Sequence, residues 1–116
     1  MPRANSGYDL ARMYEIVLAP GAVKAMRGLS AHVRSRVRDA LERHLRYEPR
    51  KVSKSRIRRL RGLNRPQYRL RVDEVRVFYD VTKTTVEVLA IVSKAEAQAW
   101  LEREGTSEEG GGAGQG

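Results

Sequence analysis

The stretch that decides the fold runs from Arg56 to Asp80 and reads RIRRLRGLNRPQYRLRVDEVRVFYD. After Pro66 its apolar and polar residues alternate, first over Tyr68–Val72 and then from Val75 onward. A period of two predicts two half-buried strands, and the intervening Asp73-Glu74 pair predicts a tight turn between them. We therefore expect an antiparallel hairpin with one face buried and the other facing solvent.

The solvent face of this hairpin is predicted to carry Arg69, Arg71 and Arg76 close together. Clustered guanidinium groups favour phosphate or carboxylate partners, because each one donates in a planar fork. We expect Arg76 to face solvent, so that its replacement by alanine leaves folding intact. Phe78 has the same parity as Arg76, which predicts an exposed aromatic that stacks on a base or receives a partner side chain.

The charge of the whole chain indicates a polyanionic partner. Its 116 residues carry 23 Lys or Arg against 14 Asp or Glu, a formal net charge of +9. Residues 50–72 contain ten basic residues and no acid. Such a field attracts nucleic acid or an acidic protein, and the alternative is a basic surface that only aids solubility. The length fits one small domain with a single core.

Several kinds of chemistry are excluded by what the sequence lacks. There is no cysteine, so disulfides and thiolate chemistry are not available. His32 and His44 are too few and too separated to predict a metal centre, and nothing indicates a cofactor. The apolar runs are far too short to span a bilayer, and the first residues lack the apolar core of a signal peptide. We expect a cytoplasmic protein that binds no membrane.

The rest of the chain predicts two helices before the hairpin and a strand and a helix after it. Ser30 is a good N-cap for the longer helix, whose apolar residues recur at helical spacing and include His44. Ser93 caps the last helix, in which Ala95 and Ala99 are expected to face inward, with Trp100 at the margin of that face. The predicted elements are a strand at 13–18, helices at 22–28 and 31–47, a strand at 57–60, a strand at 84–92 and a helix at 95–103.

This order predicts an α+β fold, β-α-α-β-β-β(-β)-α, in which a small antiparallel sheet carries the two N-terminal helices on one side. The predicted domain covers residues 13–104. Residues 1–12 show no period and are expected to be a disordered extension, with Met13 as an alternative start to Met1. Residues 105–116, GTSEEGGGAGQG, have the composition of a flexible Gly-rich tail.

Three segments together resemble the RelE/ParE toxin superfamily of type II toxin–antitoxin systems. They are YEIVLAPGAVKAMRGL, LRGLNRPQYRLRVDEVRVFYDV and VEVLAIVSKAE, and the resemblance covers about residues 13–104. Its most specific part is the order L-R-G, then Y-R-L-R-V, then R-V-F-Y. The resemblance implies either a RelE-like toxin that cleaves mRNA in the ribosomal A site, or a ParE-like toxin that inhibits DNA gyrase. In both cases it implies a cognate antitoxin as partner.

Carried over by position, the resemblance implies a catalytic group made of Arg69, Arg71, Arg76 and Lys94. In RelE-like members the ribose 2′-OH attacks the adjacent phosphate, with basic side chains assisting. Trp100 stands where RelE-like nucleases often carry a tyrosine, and an indole can stack on a base but cannot move a proton. The residues expected to bind RNA are Lys54, Arg56, Arg58, Arg59, Arg61, Phe78 and Trp100.

Such a cleavage needs a proton acceptor, a proton donor and charge stabilisation on the phosphate. The arginines supply only the third, because they stay protonated. Lys94, and more loosely Lys54, are the basic residues able to take part in proton transfer, and alignment of the substrate on the ribosome supplies further rate. We therefore favour a ribosome-dependent mRNA endonuclease that inhibits translation. The alternatives are a gyrase inhibitor without nuclease activity and a non-toxic basic RNA-binding module.

Overall fold

The computed structural model describes residues 13–107. The predicted extension at 1–12 and residues 108–116 of the predicted tail lie outside the described residues. The α+β class is confirmed. Its elements in chain order are β1 (Glu15–Leu18), α1 (Pro20–Gly28), α2 (Ala31–Ala40), β2 (Ile57–Arg59), β3 (Leu63–Arg65), β4 (Tyr68–Val72), β5 (Val75–Val81), β6 (Thr85–Ser93), α3 (Lys94–Glu104) and β7 (Thr106–Ser107).

The main sheet has the strand order β1-β6-β5-β4-β2. The predicted β4–β5 hairpin is present, with the turn at Asp73, whose φ of 53° lies in the left-handed region that Asp tolerates. The sheet is mixed, however, because β1 pairs with β6 in parallel. The sequence predicted an antiparallel sheet. Strand β1 is followed by two helices and has no strand next in sequence with which to form a hairpin, so it joins the last long strand instead.

The core lies between the sheet and the helices α1 and α2. Tyr68 and Tyr79 stack within it, with ring centroids 5.4 Å apart, as expected from their alternation with polar residues. The Tyr79 hydroxyl donates to the Pro49 carbonyl at 2.7 Å, and burial raises the pKa of Tyr79 far above its ordinary value. The core therefore holds the chain that follows α2 as well as the strands.

Helix α2 begins as predicted, since the Ser30 hydroxyl accepts a hydrogen bond from the Val33 amide at 3.3 Å. Its last residues, Leu41–Leu45, form a π-helical turn. Both leucines of this turn belong to the core. The Arg46 guanidinium then donates to the Tyr14 carbonyl at 2.9 Å, which ties the end of the helical segment to the start of β1.

Helix α3 runs back over the face of the sheet opposite α1 and α2. It is capped by the Ser93 hydroxyl, as predicted. Its inward face differs from the expectation, because Ala95 and Ala99 are exposed, whereas Ala97, Trp100 and Leu101 are partly buried. The spacing of 97, 100 and 101 is that of one helical face, and the large side chains determine which face is buried.

After Gly105 ends α3, the chain forms β7 at Thr106–Ser107, within the segment that composition predicted as a flexible tail. This strand pairs with β3, Leu63 opposite Ser107 and Arg65 opposite Thr106. The pairing holds the end of α3 against the body of the protein. None of the helices between residues 13 and 107 combines the length and the apolar character needed to cross a bilayer.

Candidate functional site

The face of the sheet opposite α1 and α2, here called the open face, carries the clustered arginines that the sequence predicted. Strand register places Arg58 opposite Arg69, and Arg69 opposite Phe78. One step along the strands, Arg71 lies opposite Arg76. Residues paired across neighbouring strands share a face. The open face therefore brings four arginines from three adjacent strands together.

Arg69 lies at the centre of this group. Burial lowers the pKa of Arg69, and the nearby charges of Arg58, Arg76 and Arg71 lower it further. Its Nε is buried and has no hydrogen-bond partner among the residues that the structure describes. A buried donor without a partner is costly, and an anion oxygen is the partner that both this donor and the surrounding charge favour.

Arg58 and Arg71 flank Arg69 and are exposed. Within residues 13–107 neither side chain makes a hydrogen bond or an ion pair with another residue. Their guanidinium groups are thus free to bind a ligand. Together with Arg69 they form a surface suited to the charge and geometry of a phosphate group.

Arg76 is placed differently from the expectation. Its side chain is only 6% exposed, so the prediction that it faces solvent is wrong. Its guanidinium bends back onto the β4–β5 turn and donates to the carbonyls of Asp73 at 2.8 Å and Val75 at 3.0 Å. Helix α3 starts beside this turn, where the Lys94 amide donates to the Glu74 carbonyl at 2.7 Å. Arg76 therefore adds positive charge to the open face, but its buried guanidinium is not exposed to a ligand.

The prediction that Phe78 is an open stacking platform is also wrong. Phe78 is fully buried. The indole of Trp100 covers it, with ring centroids 5.1 Å apart and planes inclined by 6°. Trp100 itself is partly buried, as its position at the margin of the helix face predicted. A nucleic-acid base therefore cannot reach Phe78 unless α3 moves.

The lysines with predicted roles are both exposed. Lys94 is the first residue of α3, next to the turn that Arg76 supports. Lys54 lies in the loop before β2, apart from the paired arginines. His32 and His44 both lie on the α2 segment, on the other side of the sheet. Within the described chain, no group of three His, Cys, Asp or Glu side chains is arranged to hold a metal ion.

The remaining predicted RNA-binding arginines do not all join the open face. Arg59 lies on the core side of β2, where its guanidinium is 5.4 Å from the Tyr68 ring centroid and donates to the carbonyls of Leu60 and Gln67. Arg59 is therefore separated from the open face, and its contact with RNA stays a prediction. Arg61 is exposed in the turn that contains Gly62, and Arg56 is exposed at the edge of the sheet.

Asp80 has a role that the sequence did not reveal. Asp80 lies on the open face, and the residue is only 8% exposed. It accepts hydrogen bonds from the Gln67 amide at 2.7 Å and the Arg65 guanidinium at 2.9 Å. Burial raises the pKa of Asp80. Since both oxygens accept these hydrogen bonds, Asp80 fixes the β3–β4 connection and supports the shape of the open face. The only signal in the sequence was that Asp80 is an acidic residue close to a basic segment.

A second concave surface, here called the helix groove, lies between α1 and α2 and has a volume of about 660 Å³. Its floor is apolar, formed by Ile16, Leu18, Val23, Met26 and Leu41. Its rim is mostly basic and consists of Arg27, Arg34, Arg38 and Arg46 with Glu42. An apolar floor with a charged rim is the usual form of a groove that receives an amphipathic helix.

Comparison with known proteins rests on structure, because no family model and no curated protein matches the sequence. The archaeal RelE–RelB complex from Pyrococcus horikoshii OT3 is 27% identical, covering 71% of this chain and 96% of that chain with a TM-score of 0.55. The E. coli toxin RelE, in the free state with two arginines replaced by alanine, is 22% identical, covering 79% and 98% with a TM-score of 0.59.

The RelB–RelE antitoxin–toxin complex from Methanococcus jannaschii is 18% identical, covering 72% of this chain and 96% of that chain with a TM-score of 0.56. All three structures are matched over nearly their whole length. The chain therefore has the RelE-like α+β toxin fold.

Proposed function

We propose that this chain, which has the fold of RelE toxins, is the toxin of a type II toxin–antitoxin system and cleaves mRNA on the ribosome. The observation that carries the proposal is the environment of Arg69. Its buried Nε lacks a partner within the described residues, and three further arginines surround it. This is an anion site without a protein anion to fill it. Arg69 as a whole is partly exposed and Arg58 and Arg71 are exposed, so a phosphodiester of bound RNA can contact the group and offset its charge.

In the proposed reaction the ribose 2′-oxygen forms a bond to the adjacent phosphorus as the bond from phosphorus to the 5′-oxygen breaks. The products are a strand that ends in a cyclic phosphate and a strand that begins with a 5′-hydroxyl. Negative charge builds up on the phosphate oxygens in the transition state. Arg58, Arg69 and Arg71 stabilise that charge directly, and Arg76 adds its field while holding the β4–β5 turn.

Proton transfer is the weak part of this site. Among the residues that the structure describes, the open face has no histidine, and Trp100 stands where the resemblance to RelE-like nucleases implies a tyrosine. Lys94, at the start of α3, is the exposed basic group next to the β4–β5 turn. We therefore expect the reaction to depend on the ribosome, which aligns the 2′-oxygen for in-line attack. Free RNA should be cleaved very slowly.

Purified ribosomes programmed with a defined mRNA provide the test, with cleavage read by primer extension. Arg69→Ala should lower the cleavage rate by about two to three orders of magnitude, the usual effect of removing a charge-stabilising donor. Arg38→Ala is the matched control, since Arg38 is exposed on the rim of the helix groove, away from the open face. Equal cleavage by the parent and the Arg69→Ala protein would disprove the assignment of this site.

Inhibition of DNA gyrase is the second candidate function, and it is favoured because no histidine or tyrosine between residues 13 and 107 lies on the open face. An inhibitor needs a binding surface but no proton transfer. Gyrase supercoiling assays with the purified protein distinguish the two functions. If protein equimolar with gyrase abolishes supercoiling, and the mRNA on programmed ribosomes stays intact, the protein is a gyrase inhibitor and not a nuclease.

The proposed protein partner is a cognate antitoxin whose acidic, amphipathic segment binds the helix groove. The apolar floor accepts the hydrophobic side of a helix, and the arginine rim attracts its acidic side. Binding should weaken as salt rises, because rim charges are screened. Met26→Glu places a charge on the floor and should abolish the complex, whereas Lys24→Glu on the exposed side of α1 serves as the control. Equal binding by both variants would move the antitoxin to another surface.

A further inference from the structure

A polar depression of about 760 Å³ lies where the outer side of α2, the loop before β2 and the end of β4 meet. It is here called the corner site. It is separate from the helix groove, and of the residues that line it the proposed cleavage uses only Arg71. Its cationic and imidazole groups come from Arg36, Arg43, His44, Arg56 and Arg71, and the other lining residues are Ser35, Asp39, Ala40, Ser55, Val72 and Asp73.

The corner site carries positive charge that its own acids do not neutralise. Asp73 is taken by Arg36, which binds it through two guanidinium nitrogens. Asp39 pairs with Arg43 at 3.5 Å, but both side chains are about two-thirds exposed, so this pair is weak. The side chains of Arg56 and Arg71 have no ion pair with any residue from 13 to 107. Two guanidinium groups are thus available to a ligand.

His44 lies close to this excess charge. Burial is the main cause that lowers the pKa of His44, and the charges of Arg56 and Arg43 lower it further. Both arginines therefore lie near enough to the imidazole to act on it electrostatically. Arg43 and His44 also belong to the π-helical turn Leu41–Leu45. π-Helical turns are rare and are frequently found at functional sites. Here the same turn keeps two leucines in the core and places Arg43 and His44 at the corner site.

The lining of the corner site distinguishes its ligand from that of the helix groove. Apart from Ala40 and Val72, the residues that line it are polar or charged. An amphipathic peptide finds no apolar floor on which to anchor there. A phosphate needs none, because guanidinium, imidazole and hydroxyl donors satisfy its oxygens.

The corner site is continuous with the open face. Arg71 belongs to both surfaces, since it pairs with Arg76 across the strands and also lines the depression. Its amide donates to the Arg56 carbonyl at 2.9 Å, so the two residues are held side by side at the edge of the sheet. An RNA backbone that is bound on the open face and continues past this edge therefore contacts the basic groups of the corner site.

We propose that the corner site binds a backbone phosphate of the same RNA strand that crosses the open face, beyond the phosphate at which the strand is cleaved. The inference rests on the proposed function in taking RNA as the ligand, but it does not require cleavage. It assigns Arg43, His44 and Arg56 to substrate binding, beyond the arginines of the open face.

The test uses RNA oligonucleotides of increasing length whose 2′-hydroxyls are methylated to prevent cleavage, with affinity measured at several salt concentrations. Affinity and its salt dependence should increase at the length that reaches the corner site. Each phosphate contact on a single strand contributes about 0.7 to the slope of log affinity against log salt. Because the corner site holds one phosphate, Arg43→Gln combined with Arg56→Gln should lower the slope by about 0.7 for long strands, and leave short strands unchanged.

Arg27→Gln combined with Arg38→Gln is the control, because it removes the same charge from the rim of the helix groove. Equal losses in both double variants, at all strand lengths, would show an effect of net charge only and would overturn the corner site. Ribosomal cleavage is measured in parallel. If cleavage is normal but RNA affinity does not depend on strand length, only the proposal of the corner site is wrong. If affinity depends on strand length but no cleavage occurs, the corner site is supported and the proposed nuclease activity is wrong.

Discussion

The indole of Trp100 lies parallel to the ring of Phe78, with 5.1 Å between the ring centroids. This contact joins α3 to the centre of β5 and closes the middle of the open face. Phe78 is fully buried beneath it, while Arg58 and Arg71 remain exposed. The open face is therefore a basic surface beside a closed aromatic stack, and a ligand binds alongside Trp100 rather than beneath it.

Trp100→Ala should lower the free energy of unfolding by about 3 kcal/mol, at the lower end for loss of a buried Trp because this one is partly exposed. Trp100→Phe keeps an aromatic stack and should lose about half as much or less. Urea unfolding of the three proteins provides the measurement. If Trp100→Ala is as stable as the parent, Trp100 does not hold α3 to the sheet.

Arg69→Met should raise stability and abolish activity. The change removes a buried donor without a partner and relieves repulsion from three neighbouring arginines, which we expect to add about 1 kcal/mol to the free energy of unfolding. Cleavage should be lost with the phosphate contact. Arg71→Met, at an exposed position, should reduce cleavage without changing stability. A less stable Arg69→Met protein would mean that the guanidinium is satisfied in solution.

Arg76→Ala should destabilise the protein by about 1–3 kcal/mol, because it removes the donors that hold the carbonyls of Asp73 and Val75. Thermal unfolding measures the loss. Arg76→Lys keeps a charge that can reach one carbonyl, so we expect an intermediate melting temperature. An unchanged melting temperature for Arg76→Ala would instead support the solvent-facing arginine that the strand alternation predicted.

Gly105→Ala should release β7 from β3. A Cβ at this position would lie 2.7 Å from the Leu101 carbonyl oxygen and 3.3 Å from Leu63 Cδ2, and the first of these is backbone that cannot move aside easily. We expect a cost of about 1–3 kcal/mol, as for other overpacked sites. Hydrogen exchange at the Ser107 amide reports the release. Gly28→Ala is the control, because outside its chain neighbours and its own helix backbone no atom lies within 4 Å of its added Cβ.

His44 should make the protein less stable in mild acid. Because burial and the charges of Arg56 and Arg43 lower its folded pKa, the unfolded chain takes up a proton more readily. Stability is therefore full above the unfolded pKa of about 6.5 and falls as the pH drops from there through the lower folded pKa.

The measurement is urea unfolding of the parent, His44→Gln and the control His32→Gln at pH 7.5 and pH 5. His44→Gln should lose less stability between the two pH values than the parent does. A decline in His44→Gln as steep as in the parent would assign the acid sensitivity to other groups.

Part of the site was predictable because strand parity is a local property. Alternation along β4 and β5 placed Arg69 and Arg71 on the face opposite Tyr68 and Tyr79, as the register confirms. The same rule holds on β2, where Arg59 follows Arg58 in sequence and so lies on the other face. The basic run between residues 50 and 72 showed charge but not the side of the sheet on which each charge lies.

The sequence by itself determined the α+β class, the β4–β5 hairpin and the apolar face of α2, because periodicity and capping act between residues close together in the chain. Only the tertiary structure decided what covers each surface. Phe78 and Arg76 were predicted to be open, and both are buried because α3, which follows them only after β6, packs back onto their face. The parallel pairing of β1 with β6 likewise joins distant segments. Parity says which side of its own strand a residue occupies, but packing between distant segments decides whether that side meets water.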